Sequence, residues 1–259
     1  MSALRILYRM TLTGVGTTVF YSMWLLTRLS ALVSARMAAR THAWIVKAWA
    51  RCMLRILGIR LTVVGPIPRP PFFLVSNHLS YIDIPVMLSQ LDGNFLAKAD
   101  IAHWPVIGWL ARSTGTLFIN RTMRTDLKRV LPEVQRALDS GRGVIVFPEG
   151  TSSQGSEVLA FRPSIFEVPA RTGIEVSIAC VHYDTRNERP PAHLSVCWWG
   201  DMTFMPHFID MMKMPGFEAR LSFSSDTLEH DDRKALATQS HSAVKGLFKR
   251  VPESAMIER

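Results

Sequence analysis

The sequence predicts an α/β fold: a mixed, partly parallel sheet flanked by helices and preceded by an N-terminal helical hairpin. Three observations carry this. From Leu61 onwards, short β-branched or aromatic runs alternate with helical stretches, the pattern of strands joined by crossover helices. Residues 10–27, MTLTGVGTTVFYSMWLLT, hold no charge. Residues 1–82 carry ten Lys and Arg and no Asp or Glu, a net +10, whereas residues 83–259 carry 20 basic and 21 acidic residues, a net −1. The overall +9 is therefore a local property of the N-terminal third.

The hairpin comes first. At about 1.5 Å per residue the uncharged run just reaches across a thin hydrocarbon core, but five Thr, one Ser and two Gly make it a marginal spanner. Arg5 and Arg9 precede it and Arg28, Arg36 and Arg40 follow, so charge gives it no orientation. No small-residue cleavage site follows directly, which excludes an ordinary signal peptide. In the next segment Arg36, Arg40, Lys47, Arg51 and Arg55 fall within an arc of roughly 100°, opposite Ile45, Val46, Trp49, Met53, Ile56 and Leu57. Such a basic amphipathic helix lies in a membrane interface, or packs its apolar face on the protein's own core with the basic face in water. Basic residues interleaved with apolar runs suit an anionic membrane better than nucleic acid. The chain divides into a membrane-associated helical segment, 1–60, and a body, 61–259. The hairpin dips into, or lies on, one leaflet.

In the body, strands are expected at 61–64, 72–75, 94–97, 116–120, 144–147, 175–181, 194–199 and 219–223, and helices at 84–90, 104–113, 126–139, 164–172 and 232–249. Residues 126–139 give the strongest helical pattern, with Leu127, Val130, Leu131, Val134 and Leu138 on one face, Pro132 as a possible kink, and Gly141 and Gly143 as the stop. PIPRPP, residues 66–71, is a rigid connector. Cys52, Cys180 and Cys197 form no CxxC pair and read as ordinary buried thiols.

Three stretches bear chemistry. In FLVSNHLSYIDIP, His78 is followed five residues later by Asp83, the first acidic residue of the chain. A neutral imidazole held by a carboxylate can take a proton from a hydroxyl. With His78 at a strand end and Asp83 in the first turn of the next helix, five residues span the required reach; alone, such a pair is as often structural as catalytic. GTLFINR, residues 115–121, ends a strand at Arg121, whose planar guanidinium suits phosphate or is simply a surface arginine. VIVFPEGTSS, residues 144–153, places Glu149 and Gly150 at a strand's C-terminal end, where α/β sheets hold ligands. Glu149 there orients a substrate hydroxyl or pairs with Arg121, and Gly150 lets the backbone approach a ligand; otherwise the segment is a turn. No G-x-S-x-G elbow and no HExxH or other zinc spacing occurs, which argues against a serine or metal hydrolase. His103, His182, His193 and His207 are isolated and read as structural.

Asn77-His78-(four residues)-Asp83, then residues 115–121, then Phe147-Pro148-Glu149-Gly150-Thr151, occur in one order and about 30 residues apart. Together they resemble the glycerolipid acyltransferase family, whose type members are the 1-acylglycerol-3-phosphate acyltransferases. The resemblance covers roughly residues 61–182. It implies that His78 is the general base, oriented by Asp83, for direct attack of an acceptor hydroxyl on the thioester of acyl-CoA or acyl carrier protein. Those donors are co-substrates; no cofactor and no metal are implied. Arg121 would hold the lysolipid phosphate, and Asn77, Glu149, Gly150 and Thr151 complete the implied acceptor site. The partners implied are membrane lipids, the lysolipid and the acyl donor, at the cytoplasmic face of a bacterial inner membrane. One block departs: where the family has a strand rich in proline, this chain has VSIACVHY, residues 176–183. FPEGTSSQGSEVLAFRPSIF resembles a bacterial branch that includes lyso-ornithine lipid acyltransferases, so that acceptor stands beside lysophosphatidic acid. A non-catalytic membrane-anchoring protein is the reading from another class, and it would leave His78 and Asp83 dispensable.

Overall fold

The computed structural model describes residues 2–30, 34–120, 124–186 and 190–251. Two long helices, α1 (Ser2–Ser30) and α2 (Ala35–Leu57), pack on each other as a hairpin. Ser34 caps the start of α2 through a bond from the Met37 amide, and Gly58 ends it in the left-handed conformation at φ 74°. The chain then alternates: β1 (Ile59–Val64), β2 (Phe73–Val75), α3 (Asp83–Leu88), β3 (Gly93–Lys98), a 3-10 turn (Ala99–His103), α4 (Ile107–Ser113), β4 (Leu117–Ile119), α5 (Arg124–Asp139) and β5 (Gly143–Val146). A second 3-10 turn (Pro163–Phe166) runs into α6 (Glu167–Thr172), followed by β6 (Val176–Asp184), α7 (Ala192–Ser195), α8 (Phe204–Lys213), β7 (Phe217–Phe223) and α9 (Arg233–Leu247).

The strands form one seven-stranded sheet in the order β1-β7-β6-β2-β5-β3-β4. All neighbouring pairs are parallel except β6 with β7. The central strands are buried throughout, as strands covered on both faces must be. Alternation along them separates two cores. Leu74, Ile145, Ala179, Val181 and Tyr183 meet α2, α3 and α8, whereas Phe73, Val75, Val144, Val146, Ile178 and Cys180 meet α5, α6 and α9.

The expected strand at 194–199 is not one. Its first half closes the single turn of α7, with the Val196 and Cys197 amides both donating to the Ala192 carbonyl. The Trp198 indole then donates forward to the Met202 carbonyl and the Trp199 indole back to that of His193. A short buried apolar run fits either state, and local hydrogen bonding decides it. Helix α8 was not expected at all, although Pro206 in its first turn and Phe204, Phe208, Met211 and Met212 at helical spacing were its signal.

Helix α2 packs Ala50, Leu54 and Leu57 in the same core as β2 and α3, so its apolar face is covered largely by the protein itself. Helix α1 differs: Leu4, Leu7, Tyr8, Val15, Val19, Leu25 and Leu26 form an exposed apolar stripe along its length. Arg9 is buried and donates to the carbonyls of Met212, Met214 and Pro215, while Arg5 donates to Lys213, so these arginines close the C-terminal end of α8. No described helix is long and apolar enough to cross a membrane.

Candidate active site

Strands β6, β2, β5, β3 and β4 run in one direction, so the ends of β2, β5 and β4 open on the same edge of the sheet. The segments after β2 and β5 bring His78, Asp83, Glu149 and Gly150 to that edge. Strand β4 ends at Ile119, directly before Asn120; Arg121 lies outside the described residues.

Beyond β2 the chain turns sharply, and Asp83 opens α3. The Asp83 carboxylate is fully buried and gathers four donors. The Leu79 and Ser80 amides donate to Oδ2 at 2.8 and 3.1 Å, and the Tyr183 phenol donates to Oδ1 at 2.6 Å. His78 Nδ1 lies 2.6 Å from Oδ2. An acceptor held this way fixes the proton of that contact on Nδ1, leaving the Nε2 lone pair as the basic position. Among the described residues Nε2 has no hydrogen bond, and the imidazole side chain is 21% exposed, enough to meet a substrate. The ring stacks on Phe147 at 4.1 Å between centroids and 8° between planes, which fixes its second degree of freedom.

Asn77 faces inward. Its Nδ2 donates to the Val181 carbonyl at 2.9 Å, and its Oδ1 accepts from the Val181 amide at 2.7 Å. This two-point bond ties the end of β2 to β6 and sets the direction in which His78 leaves the sheet. The Ser153 amide donates to the His78 carbonyl at 3.0 Å, so the loop after β5 is pinned beside the imidazole. Gly150 sits in the turn that begins this loop, at φ 79°, a conformation open to glycine. Thr151 next to it is exposed.

Glu149 is 4% exposed, and neither carboxylate oxygen has a hydrogen-bond partner among the described residues. Burial pushes its carboxyl up to about 8, with the charge of Asp83 adding to the effect; the nearby His78 and Leu159 backbone opposes it without reaching good hydrogen-bond geometry. This environment favours the protonated carboxyl near neutrality. Cys180, on the opposite face of β6 from Tyr183, is pushed up to about 12 by burial, then by Glu149 and Asp83, and stays a thiol. His182 and His207 are committed to the backbone carbonyls of Lys249 and Cys197. No group of three or more His, Cys, Asp or Glu able to hold a metal occurs among the described residues.

The family model described as Acyltransferase matches residues 60–183, from β1 through Tyr183. The chain is 31% identical over 204 residues to a 1-acyl-sn-glycerol-3-phosphate acyltransferase of Neisseria meningitidis serogroup B, covering 76% of this chain and 78% of the relative. It is 30% identical over 215 residues to a lyso-ornithine lipid O-acyltransferase of Rhizobium meliloti, covering 76% and 72%. The chain belongs to the glycerolipid acyltransferase family. The crystal structure of PlsC, the 1-acyl-sn-glycerophosphate acyltransferase of Thermotoga maritima, superposes over 98% of this acyltransferase and 100% of that chain, with a TM-score of 0.65 at 23% identity. The seven-stranded, mostly parallel α/β fold preceded by two helices is thus a fold that a solved acyltransferase shares.

The site contains two residues that sequence reasoning missed. Phe147 was read as strand, yet its ring is the platform under His78. Tyr183 fell outside the expected strand, 175–181, because β6 runs three residues further. The alternation Ala179, Val181, Tyr183 was the available signal, since it puts the phenol on the face of the sheet that carries α3.

Proposed function

We propose that this acyltransferase moves a fatty acyl group from acyl-CoA or acyl carrier protein to the free hydroxyl of 1-acylglycerol-3-phosphate, giving phosphatidic acid. The observation that carries the reading is the His78–Asp83 contact, with its four-donor carboxylate and its unpartnered Nε2. Nε2 takes the proton of the acceptor hydroxyl as that oxygen bonds to the thioester carbon. The tetrahedral adduct collapses with cleavage of the carbon–sulfur bond, and the imidazolium returns the proton to the leaving thiolate. No acyl-enzyme forms. Asp83 holds the tautomer and balances the imidazolium. Glu149 and Gly150, beside His78 at the sheet edge, help place the glycerol part of the acceptor, with the exposed Thr151 next to them. Arg121 holds the phosphate.

The α1 stripe meets lipid, and the enzyme works at the cytoplasmic face of a bacterial inner membrane. An open groove of about 740 Å³ between α1, α2 and α4 mixes Tyr21, Trp24 and Trp109 with Arg28 and Arg112. Such a lining suits the boundary between acyl chains and anionic headgroups. A second acceptor, lyso-ornithine lipid, is favoured by the 30% identity to the Rhizobium meliloti enzyme.

The test is a matrix of purified enzyme with lysophosphatidic acid and lyso-ornithine lipid against acyl-CoA and acyl carrier protein. Preference for lysophosphatidic acid, with Arg121→Ala raising its KM and not that of the donor, supports the first reading. Preference for lyso-ornithine lipid with no effect of Arg121→Ala replaces it with the second.

A further inference from the structure

Strand β6 touches the dyad at Asp83 and, beside it, the Asn77 that precedes His78. Val181 binds Asn77, on the His78 side, and Tyr183 binds Asp83. The register explains the reach: Val75 is level with Ile178, and β6 continues to Asp184 beneath the turn that carries His78. Tyr183 is fully buried, its ring lies edge-on to Phe217 at 5.8 Å and 84°, and its hydroxyl lies 2.6 Å from Asp83 Oδ1. The ring is held by apolar packing, so the hydroxyl has no role in the core beyond that one bond.

We infer that Tyr183 is a positioning residue for acyl transfer: its phenol anchors the outer oxygen of Asp83 and so sets both the orientation and the basicity of the His78 imidazole. The inference rests on the reading of His78 as the base. Burial and the adjacent Asp83 charge push the Tyr183 phenol well above its ordinary value, so it remains a donor throughout the working pH range. While it donates, part of the carboxylate charge is drawn to Oδ1, away from the imidazole. Without it, that charge faces Nδ1 undivided and favours the imidazolium. The other titratable groups near this pair are Glu149 after β5, Cys197 after α7 and Tyr81 in the dyad's own loop, with Cys180 on the opposite face of β6. Cys197 is held far up by burial and the Asp83 charge, Tyr81 by burial, and Glu149 is pushed up to about 8 by burial, so none of them sets an acidic limb.

The test is Tyr183→Phe in the full-length enzyme, assayed from pH 5 to 8. We expect kcat to fall about ten-fold with little change in either KM, and the acidic limb of kcat/KM to move up by about half a pH unit or more. In an Asp83→Asn background the same substitution should have no further effect, because it acts through Asp83. An unmoved limb, or losses that multiply in the double variant, would overturn the proposal. If Tyr183→Phe does not fold, 3-fluorotyrosine at position 183 serves instead. As a stronger donor it should move the limb down, and no movement would count equally against the idea. Activity retained by His78→Ala would refute the base assignment itself; an inactive His78→Ala beside an unaffected Tyr183→Phe would refute only the role of Tyr183.

Discussion

Glu149→Gln should make this protein more stable in mildly alkaline solution. The carboxyl is buried, unpartnered among the described residues, and shifted from an ordinary 4.5 to about 8. A carboxyl raised by folding contributes least cost below pH 4.5 and progressively destabilises the native state as pH rises towards 8, since the unfolded chain releases the proton first. At 1.36 kcal/mol per unit, the full shift corresponds to about 3–5 kcal/mol at pH 8.5. Glutamine keeps the shape and removes the ionisation, so the variant should melt higher at pH 8.5 by on the order of 10 °C and match the wild type near pH 5. Thermal melts of both proteins across this range, in one detergent, provide the assay. A variant less stable than wild type at pH 8.5 would refute the reasoning, because it would mean that the carboxylate is ionised and paired, Arg121 being the candidate partner. A gap of constant size from pH 5 to 8.5 would refute it equally.

Two further outcomes follow from the same structure. Asn77→Ala strips the Val181 amide and carbonyl of their side-chain partner in a fully buried place and should cost about 2–4 kcal/mol in a denaturant melt; a loss under 1 kcal/mol would show that the clamp is dispensable. Leu7→Glu with Leu26→Glu changes two residues that are 65% and 64% exposed, so the melt should be unaltered while co-sedimentation with anionic liposomes drops sharply; unchanged sedimentation would remove the α1 stripe from the membrane account.

Much of the body was legible because its signals are local. Strand β5 reads as a buried apolar run ended by Pro148, and α5 as an apolar face that persists through Pro132. The His78–Asp83 contact was legible because five residues span one strand end and one helix start. What escaped depends on contacts distant in sequence. The Tyr183 bond joins residues 100 apart, and the Asn77 clamp joins residues 104 apart, so neither leaves a mark on its own segment. Helix α2 shows the same limit. Its basic arc was legible, but that Ala50, Leu54 and Leu57 would be covered by α3 and the sheet and not by lipid required the tertiary structure. Arg9 was counted with the membrane-facing charges, yet it closes α8.

The central claim is that His78, held by Asp83, takes the acceptor's proton for direct acyl transfer. Its most direct measurement is kcat of His78→Ala with the preferred donor and acceptor, alongside a melt confirming an intact fold. The account predicts a loss of at least about 100-fold with both KM values near wild type. A folded variant that keeps activity within ten-fold of wild type would contradict it.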